Sequence, residues 1–204
     1  MYKTQLIEQA VQKLKAGQVI AVATETVYGL VADATNLSAI SKLYALKQRS
    51  LDKPLVIAVA DSLHCFPWVS SVSPAAHALM RAFWPGPLTI ILPRAQGVSD
   101  LITAGKATIG LRCSSCAILQ SILKEFGHAI CLTSANHSGT EEASTAKKVK
   151  SEFANELFVV ENDAVISGIP STIVDMTVEP YQILREGGIT REQIQEVLKR
   201  SIKV

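Results

Sequence analysis

An α/β fold, with helices packed on a twisted sheet of mixed parallel and antiparallel direction, is predicted by three observations. Short apolar runs bounded by turn residues alternate with amphipathic helical patterns along most of the chain. The last two strand-like runs, Thr172 to Asp175 and Gln182 to Arg185, stand at hairpin distance around Val178-Glu179-Pro180, which brings antiparallel pairing into the sheet. No internal repeat or low-complexity linker divides the 204 residues, of which 48% are hydrophobic and 19% charged, so a single domain over 1–204 is expected.

Taken in order, Thr4 to Ala16 carries apolar residues at Leu6, Ile7, Ala10, Val11 and Leu14, with Thr4 as N-cap and Gly17 just past the end, which is a helix. Gln18 to Ala23 reads as a strand and runs into a polar-to-glycine transition at Thr24-Glu25-Thr26-Val27-Tyr28-Gly29-Leu30. A helix over Leu37 to Leu46 delivers Lys47, Arg49 and Lys53 to the connection before the strand Pro54 to Ala60. Helical patterns follow at Asp61 to Val69 and at Ser73 to Phe83, the second with Ser-Pro at its start; Trp84-Pro85-Gly86-Pro87 ends it in a turn. Leu88 to Leu92 and Thr108 to Arg112 are strands, and Ser115 to Phe126 is a helix closed by Gly127. The run from Ala129 to Leu132 is a buried strand that stops abruptly in Thr133-Ser134-Ala135-Asn136-His137-Ser138-Gly139. Ser144 to Ala154 is a helix with Lys147, Lys148 and Lys150 on a solvated face, and Leu157 to Val160 is a short strand. Thr190-Arg191-Glu192-Gln193 is a capping box for the last helix.

Composition excludes several classes. A net charge of +2 leaves any nucleic-acid contact to local clusters. No apolar run approaches the ~20 residues of a spanning helix, and the amphipathic N-terminus is no signal peptide, so a cytoplasmic chain without membrane contact is expected. Of the cysteines at 65, 113, 116 and 131, only Cys113 and Cys116 form a C-x-x-C pair, too few for a structural zinc, and free thiols are the default. A redox role stays open, since Cys113 to Cys116 opens a helical pattern where a thiolate would be stabilised.

Polar residues gather where strands end: Thr26, Lys47, Arg49, Lys53, Arg112, Ser134, Asn136, Ser171 and Arg185, the position at which open α/β sheets bind ligands. Neither G-x-x-x-x-G-K-[ST] nor G-x-G-x-x-G occurs, so phosphates would be held by side chains. Lys47 would act as a point charge, Arg49 and Arg185 as planar forks, and Ser134 and Asn136 as neutral donors. Ser134 with His137 suggests a hydrolase only weakly, because G-x-S-x-G is absent.

Seven segments in register, Ala23 to Leu30, Lys47-Gln48-Arg49, Trp84 to Thr89, Ile109 to Arg112, Thr133 to Gly139, Ser171 to Asp175 and Leu184 to Gly187, resemble the YrdC-like family over nearly the whole chain. The resemblance implies a YrdC-like fold and a threonylcarbamoyl-AMP synthase, a nucleotidyltransferase that joins L-threonine, bicarbonate and ATP and releases pyrophosphate, for later modification of tRNA. It implies that Lys47, Arg49, Ser134 and Asn136 surround the nucleotide and the reacting groups. By the same matching, Lys53, Thr108 and Arg185 would join the ATP contacts, while Thr26, Arg112, the Leu132 backbone and Ser171 would hold L-threonine. Ala23 stands where the family usually has Pro, and Val31 where it often has Gly.

Carbamate formation on threonine followed by in-line attack on the α-phosphate is the implied chemistry, with Mg²⁺ bridging phosphates and no residue ligating metal directly. The implied partners are ATP, L-threonine and bicarbonate, tRNA or double-stranded RNA, and downstream proteins that transfer threonylcarbamoyl to tRNA. A non-catalytic double-stranded-RNA-binding module of the same fold is the alternative. A carbamoyl-transfer domain like that of hydrogenase maturation factors normally comes with zinc-finger and acylphosphatase segments, for which the chain has no room. Longer synthases carry a further C-terminal domain, so a chain ending at Val204 reads as the short form.

Overall fold

The structure, a computed structural model, describes residues 2–154 and 156–201. Helix α1 (Tyr2–Lys15) leads into a hairpin of β1 (Ile20–Ala23) and β2 (Tyr28–Asp33), then α2 (Leu37–Lys47) and β3 (Val56–Ala58). Next come α3 (Pro74–Phe83), β4 (Leu88–Pro93), the one-turn α4 (Asp100–Thr103), β5 (Thr108–Arg112), α5 (Ala117–Phe126) and β6 (Ile130–Ser134). The chain continues through α6 (Ala146–Glu152), β7 (Phe158–Val160), β8 (Thr172–Asp175), β9 (Gln182–Arg185) and α7 (Arg191–Ser201). The strands form one nine-stranded sheet in the order β7-β1-β2-β6-β3-β5-β4-β8-β9. Pairs β1/β7, β3/β5 and β4/β8 are parallel and the other five antiparallel, the mixed sheet that the sequence predicts.

Three elements differ from the sequence reading. Asp61 to Val69 holds only a 3-10 turn at Leu63–Cys65, because Pro67 cannot continue a helix; Cys65 and Val69 are buried while Leu63 and Phe66 are exposed. Tyr28 to Asp33 is a strand rather than the tail of a polar transition; Gly29 belongs to it because a Cβ there would stand 2.4 Å from Leu132 Cδ1. Helix α4 was not anticipated, being too short to show a period. The anticipated hairpin β8/β9 forms, with a bulge between Ile173 and Val174, and the capping box closes reciprocally: Gln193 N donates to Thr190 Oγ1 (3.3 Å) and Thr190 N to Gln193 Oε1 (2.8 Å). Ala23 and Val31, the two departures from the family pattern, are both buried hairpin residues.

The two faces of the sheet are covered unequally. On one face, Leu30, Ile57, Ile90, Leu111 and Val174 pack in a continuous core under α2, α3, α6 and α7, with Leu43, Leu79, Val149 and Ile194 pointing in. On the other, α1 and α5 press Leu14, Val11, Leu119 and Ile122 onto Ile20, Val22, Val31, Ala58 and Ile130, and so cover the β7-β1-β2-β6 half. Beyond that edge the same face of β3, β5, β4 and β8 carries Val56, Gly110, Thr89 and Ile173 into an open cleft.

Thr172 ties the far edge of this sheet together. Its fully buried hydroxyl donates to Ile189 O (2.5 Å) and accepts from Gly187 N (2.8 Å) and Ile189 N (3.0 Å), which fixes the turn after β9 against β8. Thr172→Val keeps the shape but strands these groups, and each buried unsatisfied group costs ~1–3 kcal/mol. The expected result is a lower urea midpoint with an unchanged slope; an unchanged midpoint contradicts it.

Candidate functional site

The cleft left by the incomplete cover has a volume of about 600 Å³. It holds nine of the sequence-predicted residues: Thr26, Arg49, Lys53, Thr108, Arg112, Leu132, Ser134, Ser171 and Arg185. Strand β5 runs along its floor from Thr108 to Arg112, a span of ~13 Å at the usual strand rise, so the cleft has two ends. At the Thr108 end stand Arg49, Lys53 and Lys106, near the start of β3, and Ser134 at the end of β6. At the other end Thr89, opposite Arg112 in the register, exchanges a 3.0 Å hydrogen bond with Ser171.

Arg112 is only 5% exposed, and its Nη2 donates to Glu25 Oε1 (2.8 Å) and Thr26 Oγ1 (2.9 Å). Its Nε is buried without a hydrogen-bond partner, while the residue as a whole borders the cleft. Thr26 is itself placed by Thr24, whose hydroxyl lies 2.8 Å from that of Thr26 and accepts from Thr26 N (3.1 Å), so the β1–β2 turn has its hydroxyls locked. Arg185 lies on the Ser171 side: Nε and Nη2 donate to Ser171 O (3.0 and 2.8 Å), and Nη1 stands 4.0 Å from Glu142. Burial lowers its pKa, as it does that of Arg49. The Arg49 guanidinium is oriented by the Lys53 and Pro54 carbonyls at 3.2 and 2.9 Å. Leu132 borders the cleft with Val31 and Val56 opposite it on its two flanks.

Lys47 and Asn136 are not on the lining but directly behind it. Lys47 is 2% exposed; its Nζ donates to Ser134 O (2.7 Å), Asn136 O (2.9 Å) and Asn136 Oδ1 (2.8 Å), with Ser134 Oγ at 3.3 Å. Ser134 Oγ in turn donates to Asn136 Oδ1 (2.7 Å), and Asn136 Nδ2 to the His137 and Thr140 carbonyls. The donors expected to face a ligand are thus spent on shaping the turn after β6. Desolvation pulls the Lys47 pKa down to about 8, helped by the neighbouring Arg49 charge.

The sequence reading passed over Glu25, Thr24, Thr89, Lys106 and Glu142. Glu25, Thr24 and Thr89 lay inside quoted motifs without a role, whereas Lys106, in a Gly-Lys-Ala turn, and Glu142 carry no local signal. The redox alternative loses its basis. Cys113 and Cys116 are buried, and burial pushes the Cys113 thiol up to about 11, away from a reactive thiolate.

A cleft of this kind, with a buried arginine and hydroxyls at one end and clustered cations at the other, defines an α/β protein whose site has the charge to suit anionic ligands. Residues 12–187 match the Sua5_yciO_yrdC family model, described as Telomere recombination. The chain is 35% identical over 194 residues to a threonylcarbamoyl-AMP synthase of Bacillus subtilis (strain 168), spanning 94% of this chain and 56% of that protein. It is 36% identical over 184 residues to a threonylcarbamoyl-AMP synthase of Vibrio vulnificus (strain YJ016), covering 89% of this chain and 98% of that one. Pyrococcus abyssi Sua5 complexed with L-threonine matches in structure with a TM-score of 0.91 at 32% identity, over 94% of this chain and 56% of that one. This chain therefore spans a little over half the length of its Bacillus and Pyrococcus relatives. The chain belongs to the Sua5/YciO/YrdC family.

The buried ammonium makes a pH signature. Lys47 has its pKa lowered from 10.5 to about 8 by folding, so between these values the unfolded chain binds the extra proton and stability contributed by this group rises with pH. The stability of the parent relative to Lys47→Met should therefore increase from pH 8 to pH 10.5 in urea titrations, other titrations cancelling in the difference. A pH-independent difference contradicts a depressed Lys47.

Proposed function

We propose that this chain forms L-threonylcarbamoyl-AMP from L-threonine, bicarbonate and ATP, with release of pyrophosphate. One observation carries the reading: a fixed, nearly buried Arg112 guanidinium at one end of a cleft whose other end is lined by Arg49, Lys53 and Lys106. The names of the Bacillus and Vibrio relatives, and the threonine complex of the Pyrococcus one, support it.

Threonine's carboxylate would pair with the Arg112 guanidinium, with the Thr26 and Ser171 hydroxyls beside it. Its amine, once its ammonium proton has gone to solvent, attacks bicarbonate; the N–C bond forms, water leaves, and a carbamate results. A carbamate oxygen then attacks the α-phosphorus of ATP in line, the bond to the bridging oxygen breaks, and pyrophosphate departs. Arg49 and Lys53 would bind the triphosphate and stabilise charge growing on the leaving group, with Arg185 between them and the threonine end. Lys47 and Asn136 would act through the Ser134 turn they hold. Mg²⁺ fits here as an ion carried by the phosphates: of the cleft-lining carboxylates, Asp175 accepts from Thr177 and Glu142 stands alone 4.0 Å from Arg185, and no group of three metal-ligating side chains occurs among the described residues. When bound, it would neutralise phosphate charge. The product would pass to proteins that transfer threonylcarbamoyl to tRNA, in the cytoplasm; no helix among the described residues is long and apolar enough to cross a membrane.

Pyrophosphate release from ATP should depend on both L-threonine and bicarbonate. A folded chain that binds double-stranded RNA and releases none contradicts the synthase and favours a binding module. Arg112→Lys keeps the charge and loses the fork: with one charge-assisted bond worth ~1.5–3 kcal/mol, threonine affinity should fall roughly ten- to 150-fold by calorimetry while ATP binds nearly as before. Unchanged threonine affinity in the folded variant removes Arg112 from the site.

A further inference from the structure

We propose that Glu25 is the positioning residue of the carboxylate site, holding the Arg112 guanidinium in one orientation at the cleft. The inference rests on the reading of the cleft as a threonine site and adds a residue to it. Glu25 and Arg112 form an ion pair at 2.8 Å with side chains 14% and 6% exposed, between a turn residue and a strand end 87 positions apart. The second Glu25 oxygen accepts from Ser114 Oγ, which also accepts from Cys116 N at the start of α5. Glu25 O accepts from Ser167 N (3.1 Å), so backbone and side chain are both anchored.

This anchoring decides what the pair does. With one oxygen on Nη2 and the other on Ser114, the carboxylate is held off Nε, which stays buried and unpartnered. Burial raises the Glu25 carboxyl, but the Arg112 charge and hydrogen bond more than reverse this and keep it below its ordinary value, hence ionised. A buried pair of this kind adds little net stability, because desolvating two charges offsets their attraction. Its consequence is geometric. A guanidinium with Nη2 fixed by Glu25 and Thr26 cannot rotate, so an incoming carboxylate meets a preformed donor.

The test is a set of calorimetric and steady-state titrations with L-threonine and ATP on the full chain. Glu25→Gln keeps the size and removes the charge. It should raise the threonine Kd and KM about tenfold while kcat at saturating threonine and the ATP Kd stay within about twofold. Glu25→Asp, which keeps the charge, should fall between it and the parent. In the Arg112→Lys background Glu25→Gln should add nothing, since the group it positions is gone. Weakened threonine binding in Arg112→Lys with parent-like binding in both Glu25 variants overturns the positioning role and leaves the threonine site standing. Absence of threonine binding by the parent overturns both. Equal losses of threonine and ATP affinity also overturn it, because they report a general disturbance of the cleft.

Discussion

Incomplete covering of one sheet face is the constraint on which the rest depends. A nine-stranded sheet exposes two large faces, and the seven α-helices among the described residues, two of them short, do not bury both. One face is closed by α2, α3, α6 and α7. On the other, α1 packs against α5 over the β7-β1-β2-β6 half, and the β1–β2 turn from Thr24 to Gly29 borders the part left open. The floor beyond it consists of strand residues whose side chains alternate out of the core by geometry alone: Thr108, Gly110 and Arg112 face the cleft while Ile109 and Leu111 face the opposite core. The parallel pairings β3/β5 and β4/β8, flanking antiparallel β5/β4, bring together chain segments that are remote in sequence.

The charges on this site are held from behind. Lys47 donates into the Ser134–Asn136 turn, Arg49 is steered by the carbonyls of Lys53 and Pro54, and Arg112 is gripped by Glu25 and Thr26. Each cation gives up part of its hydrogen-bonding capacity to the protein and keeps one orientation in return. Fixing donors before a ligand arrives reduces the ordering cost at binding. It also explains why a motif of four polar residues, Lys47, Arg49, Ser134 and Asn136, divides between lining and support: Arg49 and Ser134 border the cleft, and Lys47 and Asn136 hold the turn that carries Ser134.

Much of this was legible in the sequence. Strands β4, β5, β6, β8 and β9 were found within one or two residues, because each is a short apolar run closed by turn residues. Arg112, Ser134 and Arg185 were found because they end such strands, Thr26, Arg49, Lys53 and Ser171 because they lie on connections next to strands, and Thr108 through the family resemblance. What stayed hidden has physical reasons. Strand β2, buried on both faces, shows no alternation after Gly29, and the spacing at Leu63, Cys65, Phe66 and Trp68 resembles a helix although Pro67 interrupts it. Glu25 could not be assigned a partner, since Arg112 is 87 positions away and only the fold brings them together. Neither could the difference between Arg49 in the cleft and Lys47 behind it be read from two residues two positions apart, because it depends on how α2 ends at Gln48 in a left-handed conformation.

Gly110 offers the most direct test that the cleft floor is the site. A Cβ at this position would meet Thr89 Cγ2 and Val56 Cγ2 at 3.5 Å, ordinary contact, so a valine fits the strand and directs its methyl groups into the cleft. The measurement is threonine-dependent pyrophosphate release by Gly110→Val, alongside its urea midpoint. The account predicts a folded chain at least as stable as the parent, with release reduced by about two orders of magnitude as the bulk displaces the reacting groups. A folded Gly110→Val chain that releases pyrophosphate at the parent rate would contradict it.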